Sequence, residues 1–263
     1  MADERTSLRA VFDEDAELYD RVRPGYPGAL FDDLAALGDL GAGARVLEIG
    51  CGTGQATVPL AERGLRVTAV ELGPSMAEVA RRRLSAFPSV EVVTAAFEDW
   101  PLPGEPYDAV VSATAFHWID PAVRVAKCAD ALRPGGVLAV VSTHHVYGGS
   151  RAFFADVQEC YERFDPATPP GLRLRPAAAI PTGSEETDRS GRFGPARFHR
   201  YERELPYTTA EYLDLLLSYS NHRTLSAERR EGLLACIGAL IDGRYGGRIT
   251  KRYMTQLHTA RRL

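Results

Sequence analysis

The sequence predicts an α/β fold built on a parallel sheet, and three observations carry that expectation. Five short apolar runs recur between residues 44 and 142, helical segments of about ten residues separate most of them, and Pro or Gly marks their boundaries. The first strand spans 44–50, and the helical stretch 55–63 follows it. The second strand, 66–71, leads into a helix opened by Pro74 and running to about Phe87. Residues 90–94 and 107–112 read as the third and fourth strands, both rich in Val. A helix over about 121–132 stops at Arg133-Pro134-Gly135-Gly136, and the fifth strand is 137–142.

Beyond residue 142 the texture changes. Residues 149–164 read as one amphipathic helix and 165–194 as a Pro-rich, polar loop, which in a compact domain is usually functional or mobile. A strand over 196–207, helices over about 208–218 and 225–242, and a last strand over 248–259 complete the chain.

Composition excludes several classes. With 31 basic and 35 acidic residues the net charge is −4, which argues against capture of nucleic acid by charge alone. A hydrophobic share of 45% and a charged share of 25% exclude global disorder. No apolar run approaches the ~18 residues of a membrane helix, and the charged start is unlike a signal peptide. The four cysteines, Cys51, Cys128, Cys160 and Cys236, form no CxxC pair, so the expectation is no zinc ribbon, no disulfide framework and a reduced, cytoplasmic protein. Only Lys127 and Lys251 are lysines, an arginine excess read first as coding bias.

The first strand runs into Glu48-Ile-Gly50-Cys-Gly52-Thr-Gly54-Gln55. Glycines at alternate positions between a strand and a helix let the backbone turn tightly, with no Cβ in the way of a ligand. The dinucleotide fingerprint fails in both registers, because Gln55 and Thr57 stand where it needs Gly or Ala, and no P-loop Gly-Lys-Ser/Thr exists. Glu71 closes the second strand, 23 residues after Glu48 (71 − 48), where a carboxylate can accept from both ribose hydroxyls. The ligand these residues point to is a nucleoside without a pyrophosphate.

On these residues the sequence resembles the class I S-adenosylmethionine-dependent methyltransferases. The E/D-x-G-x-G-x-G signature is Glu48 to Gly54, the acidic strand end is Glu71, and the Leu-Arg-Pro-Gly-Gly turn is Leu132 to Gly136. Within that family the chain resembles the small-molecule branch that includes trans-aconitate methyltransferase, through Phe12 to Pro27, Phe97-Glu-Asp-Trp100 and Phe116-His-Trp118. The resemblance implies one Rossmann-like domain over 1–263, with a mostly parallel seven-stranded sheet flanked by helices. It also implies an N-terminal cap over 7–30 and a helical and loop lid over 143–194 and 208–242.

The same resemblance implies S-adenosylmethionine as cofactor, S-adenosylhomocysteine as product, no metal, and a small-molecule acceptor of a monomer or homodimer. Gly50, Gly52, Gly54 and Ala113 would line the cofactor, Glu71 would hold the ribose, and Glu48 would act indirectly behind the loop. Ala96 stands where the family has an Asp for the adenine amino group, so Phe97 and Glu98 become the substitutes, with Met76 packed on the adenine face. Arg23 could hold the methionine carboxylate, and Tyr19 could face the sulfonium. Candidate bases are His117, His144 and His145, with Tyr19 also near the reacting groups. Tyr26, Trp118, Tyr219 and His222 are acceptor-side candidates, the last two in a Tyr219, Asn221, His222, Arg223 cluster. A DNA-type amino-methyltransferase is disfavoured, because Ser112 to His117 replaces the N/D-P-P-Y/F loop. A non-catalytic cofactor-binding module and an aminopropyl transferase are the other readings of the same core.

Overall fold

The computed structural model describes residues 12–263. The start of the expected cap, residues 7–11, lies outside the described residues. A 3₁₀ turn, Phe12–Asp15, leads into α1 (Ala16–Val22) and α2 (Gly28–Gly38). Helix α2 was not expected from the sequence; it begins directly after Pro27 and buries Leu30, Phe31 and Leu34.

The core then alternates as β1 (Arg45–Ile49), α3 (Thr57–Glu62), β2 (Arg66–Glu71), α4 (Pro74–Arg83), β3 (Val90–Thr94), β4 (Tyr107–Ala113), α5 (Arg124–Ala131) and β5 (Leu132–His145). After these come α6 (Arg151–Asp156), α7 (Gln158–Phe164), α8 (Glu185–Arg189), β6 (Arg197–Thr208), α9 (Thr209–Leu217), α10 (Ser220–Arg223), α11 (Ala227–Arg244) and β7 (Arg248–Arg261). The seven strands form one sheet in the order β3-β2-β1-β4-β5-β7-β6. Strands β1 to β5 are parallel, while β7 runs antiparallel to both β5 and β6. The order reverses between β1 and β4, and at such a switch point the loops leave a crevice beyond the strand ends.

Both sheet faces are covered. Leu30, Phe31, Leu34, Leu60 and Leu65 pack on one face, and Ile119, Val125, Cys128 and Leu132 on the other. A third apolar cluster lies outside this sandwich. Phe153, Phe154, Tyr212, Leu215, Leu233, Ile237 and Ile241 join it from the helices, and Ile249 and Tyr253 from β7. The helices beyond β5 therefore share a core of their own, seated on the last strand.

Three expectations change. Strand β5 starts at Leu132 rather than 137, because the Arg-Pro-Gly-Gly stretch is absorbed through a register shift opposite Tyr107 and Ala109. The single helix over 149–164 is two, broken at Val157. The cysteine reading is overturned: Cys160 of α7 and Cys236 of α11 form a disulfide across 76 residues, with Cα atoms 5.8 Å apart. Sequence spacing does not limit spatial spacing once two helices pack, so the argument for a reduced compartment loses its footing. Cys51 and Cys128 are free and buried. No helix among the described residues is long and apolar enough to cross a membrane.

Candidate functional site

A cavity of about 960 Å³ opens beyond the C-terminal ends of β1, β2, β4 and β5. One end is lined by Gly50, Gly52, Glu71, Met76, Ala95 and Phe97, the other by His145, Phe154, Tyr161, Tyr219, His222 and Lys251.

The glycine loop turns because Gly50 and Gly52 adopt φ of 69° and 58°, which residues with a Cβ rarely adopt. A Cβ on Gly50 would stand 2.5 Å from that of Ala115, so the loop also needs glycine to pass beneath the turn after β4. Glu71 fixes the loop's direction. Its Oε2 accepts from the Gly52 N–H at 2.8 Å and its Oε1 from the Gly73 N–H at 2.9 Å. Burial raises the Glu71 carboxyl above its ordinary value, against those backbone bonds. Glu48 is only 1% exposed and does not line the cavity, and burial pushes its carboxyl up to about 7. Gly54 also lies off the cavity; its φ is left-handed at 91°, and a Cβ there would stand 3.3 Å from Leu84, just past α4.

The N-terminal segment closes this end. Asp13 accepts from the Met76 N–H at 2.9 Å and the Ser75 hydroxyl at 3.0 Å, so it satisfies donors at the start of α4. Glu17 pairs with Arg82, and Asp20 with Arg83 at 2.7 Å. The docked segment brings Tyr19, Arg23 and Tyr26 to the cavity. The Arg23 guanidinium lies 4.9 Å from the ring centre of Tyr19 and 4.3 Å from that of Tyr219. One of its nitrogens donates to the Ser218 carbonyl at 2.7 Å, while its buried Nε has no partner. Tyr26 exchanges a hydrogen bond with the Thr114 hydroxyl at 2.7 Å. Thr114 holds a left-handed φ of 54° beside the cavity, a strained geometry for a β-branched residue that sequence reading did not foresee.

The adenine-side expectation divides. Phe97 and Met76 line the cavity, but Glu98 does not; its carboxylate accepts from the Asp120 N–H at 3.1 Å instead. Ala113, His117 and Trp118 line the middle of the cavity, with His117 and Trp118 ring centres 4.7 Å apart. Burial, with Arg124 adding to it, lowers the pKa of His117.

Both histidines after β5 line the cavity, but in different settings. His144 shares a 3.0 Å hydrogen bond with the Ser142 hydroxyl, and burial lowers its pKa. His145 packs edge-on against Phe154 with ring centres 4.4 Å apart, and its Nε2 is buried without a partner. Burial, reinforced by Lys251, drives His145 down to about 2, so it stays neutral near pH 7. His222 is held at about 4 by burial and then Lys251, while its Nε2 meets the Tyr161 hydroxyl at 3.1 Å. Asn221 lines the cavity as well, whereas Arg223 turns to Glu14, 3.3 Å away.

Lys251 was missed. Residues 249, 251 and 253 share one face of β7, so a lysine between Ile249 and Tyr253 was the available signal. The arginines of the loop turn elsewhere. Arg192 pairs with Asp130 at 2.6 Å, Arg189 bonds the Glu185 carbonyl and Arg173 the Leu172 carbonyl, and with Arg175 none lines the cavity. Much of the loop is ordered by contacts with the core. Arg124 grips Glu186 at 2.5 Å, Arg200 donates to the Ala177 and Ile180 carbonyls, and Gln256 to those of Pro181 and Thr182.

Comparison with known proteins agrees with this geometry. A family profile described as a methyltransferase domain matches residues 46–136. An uncharacterized methyltransferase of Mycobacterium tuberculosis is 39% identical over 137 residues, 52% of this chain and 54% of that one. The chain thus spans about half the length of such curated relatives. A malonyl-[acyl-carrier protein] O-methyltransferase of Acetivibrio thermocellus is 30% identical over 218 residues, covering 79% of this chain and 75% of its own. A trans-aconitate 2-methyltransferase of Paracidovorax citrulli is 35% identical over 125 residues, 46% of this chain and 45% of the other. Among solved structures, a protein of Anaeromyxobacter dehalogenans assigned as a type II methyltransferase superposes with a TM-score of 0.61 at 26% identity, covering 91% of this chain and 97% of that one.

Proposed function

The chain belongs to the class I S-adenosylmethionine-dependent methyltransferases, and from that premise we propose that it methylates a small-molecule acceptor held beneath the helices that follow β5. The observation that carries this reading is the continuity of one cavity from the Glu71 loop to the Lys251 end.

The residues present fit the cofactor. The Arg23 Nε is buried without a partner, and the partly exposed Glu71 carboxylate borders the cavity between two glycine N–H groups. In our reading Glu71 takes the ribose hydroxyls, Arg23 forks onto the methionine carboxylate, and Met76 and Phe97 enclose the base. The Tyr19 ring, whose hydroxyl burial keeps protonated, faces the sulfonium as an uncharged aromatic surface. S-adenosylmethionine supplies a methyl group already activated by the sulfonium it leaves. The protein's task is then to align donor and acceptor and exclude water.

Where the acceptor must lose a proton, His117 and His144 are the proposed bases, with His145 as a neutral hydrogen-bonding group. A side chain held at about 2 is a poor proton acceptor at neutral pH. The helices α6, α7 and α9 to α11, with the loop 165–194, serve as the lid, which brings Tyr219 and His222 to the acceptor cavity that Tyr26 and Trp118 also line.

A thermal-shift assay tests the cofactor. S-adenosylhomocysteine should raise the unfolding midpoint by mass action, and NAD at equal concentration should not. A larger shift with NAD would sink the proposal. Incubation with S-adenosylmethionine and a panel of small acids, phenols and indoles, read as a methyl mass gain, tests transfer itself.

A further inference from the structure

We propose that the acceptor is a mono-anionic organic acid with an apolar body, and that its anion is bound by the ammonium group of Lys251. The proposal rests on the methyltransferase reading of the cavity and narrows its substrate class.

Lys251 is 4% exposed, on the β7 face that packs against the lid helices. Burying an ammonium costs several kcal/mol unless it is paired and hydrogen-bonded. No carboxylate pairs with it among the described residues. One of its three N–H groups reaches the Tyr219 hydroxyl at 3.1 Å, and the others have no acceptor among the described residues. The ring centres of Tyr253, Tyr219 and Tyr212 lie 5.0, 5.1 and 6.0 Å away. Such faces attract a cation but offer no lone pair, so they leave the remaining N–H groups without acceptors. The chain's other lysine gives the contrast. Lys127 donates to the carbonyls of Glu98 and Trp100 at 2.8 and 2.6 Å, as a lysine with a purely structural role would.

The surroundings of Lys251 are also those of a binding site. Three buried polar atoms without partners, His145 Nε2, Gln158 Oε1 and His222 Nδ1, belong to residues lining the same cavity. Between them the wall is apolar, from Phe154, Val157, Leu172, Leu174 and Leu216. The lining carboxylate at this end, Asp165, is engaged by the Ala167 N–H and the Thr168 hydroxyl at 3.0 and 3.1 Å. Arg23, which shares the Tyr219 ring with Lys251, is matched by the carboxylate of the proposed cofactor, so Lys251 is the cation left for the acceptor. One cation among apolar walls selects one negative charge on a hydrophobic body. A poly-acid would need further cations, and the loop arginines do not reach the cavity.

Titration calorimetry decides it. Cinnamate, 4-phenylbutyrate and octanoate are each compared with their primary amides, with and without S-adenosylhomocysteine. At least one acid should bind tenfold or more tighter than its amide. Lys251→Met should weaken that acid by roughly 10- to 100-fold, the scale of a lost hydrogen bond to a charged group, while the amide and S-adenosylhomocysteine change by less than about twofold. Lys251→Arg should restore part of the loss. Equal affinity for acid and amide overturns the proposal; it is the result expected if a Tyr219 phenolate were the ammonium's partner. So does an absence of acid binding, or a folded Lys251→Met protein that binds the acid unchanged. The wild-type acid and amide pairs need no variant, so a misfolded mutant does not shield the idea. A protein that discriminates acid from amide but ignores S-adenosylhomocysteine would condemn the cofactor reading instead.

Discussion

Replacing Glu71 with Ala is the most direct test of the cofactor end, because the structure separates its two tasks. One task is internal, since the carboxylate orients the Gly52 and Gly73 N–H groups at 2.8 and 2.9 Å. The other, in our proposal, is to accept two ribose hydroxyls. The internal loss should be small in the ligand-free protein: the freed N–H groups border a cavity, and removing a carboxylate that burial disfavours offsets part of the cost. A change of about 1 kcal/mol in unfolding free energy is expected. The binding loss should be larger. Hydrogen bonds to a charged group contribute about 1.5–3 kcal/mol each, and with partial compensation by water a total near 3 kcal/mol weakens S-adenosylhomocysteine roughly 150-fold. Glu71→Gln keeps one acceptor oxygen without the charge and should fall between, at roughly tenfold. Glu48→Gln is the control, since Glu48 lies behind the loop and off the cavity. Calorimetric dissociation constants, read beside thermal melts, decide the matter. An alanine variant with a wild-type melt and an affinity within twofold of wild type would refute the assignment.

Three further outcomes are expected. Thiol titration of the denatured, unreduced protein should find two thiols rather than four, and reduction should lower the melting midpoint. Opening a cross-link across 76 residues removes up to about 4.5 kcal/mol in the chain-entropy account, so a drop on the order of 5–10 °C is expected, and four free thiols would refute the Cys160–Cys236 pairing. Stability should rise from about pH 5 to 6.5. His117, His144, His145, His222 and His258 are all depressed, so over that window the unfolded chain takes up protons the native state refuses. Glu48 and Glu71, both raised, oppose this by binding protons in the native state, but five groups outweigh two and the slope should be on the order of 1 kcal/mol per unit; a flat or falling midpoint contradicts it. Limited proteolysis should cut first within 165–175, before the anchored stretch that starts at Ala177, and more slowly with S-adenosylhomocysteine and an acid acceptor bound. Cutting indifferent to both ligands would deny that this segment is a lid.

What could be read in the sequence and what could not differ by the range of the interactions involved. Strands β1 to β4 were legible because each is a local run whose burial follows from its own composition, and the glycine loop because its left-handed φ values are a local demand that glycine meets. Arg23 and Tyr19 were legible through a motif, although their docking depends on Asp13, Glu17 and Asp20 meeting α4 about 60 residues on. Gly54 is the motif glycine that lies off the cavity. Its backbone is left-handed like that of Gly52, yet a Cβ there would meet Leu84. Glu98 shows the converse, a carboxylate at a suggestive position diverted to a backbone N–H 22 residues away. The acceptor end was the least legible. The Cys160–Cys236 bond, the anchored loop and the Tyr219 contact of Lys251 each join residues dozens of positions apart. In an arginine-rich chain the search for an anion site goes to the arginines. The arginines of the loop lie off the cavity, whereas Lys251, on a buried strand face, has a single hydrogen-bond partner among the described residues, and it is the desolvated cation that a ligand's charge can stabilise. The scarcity of lysine, first read as coding bias, therefore weighs as evidence once burial is known: a position that keeps Lys inside an apolar wall calls for an explanation that coding bias does not supply.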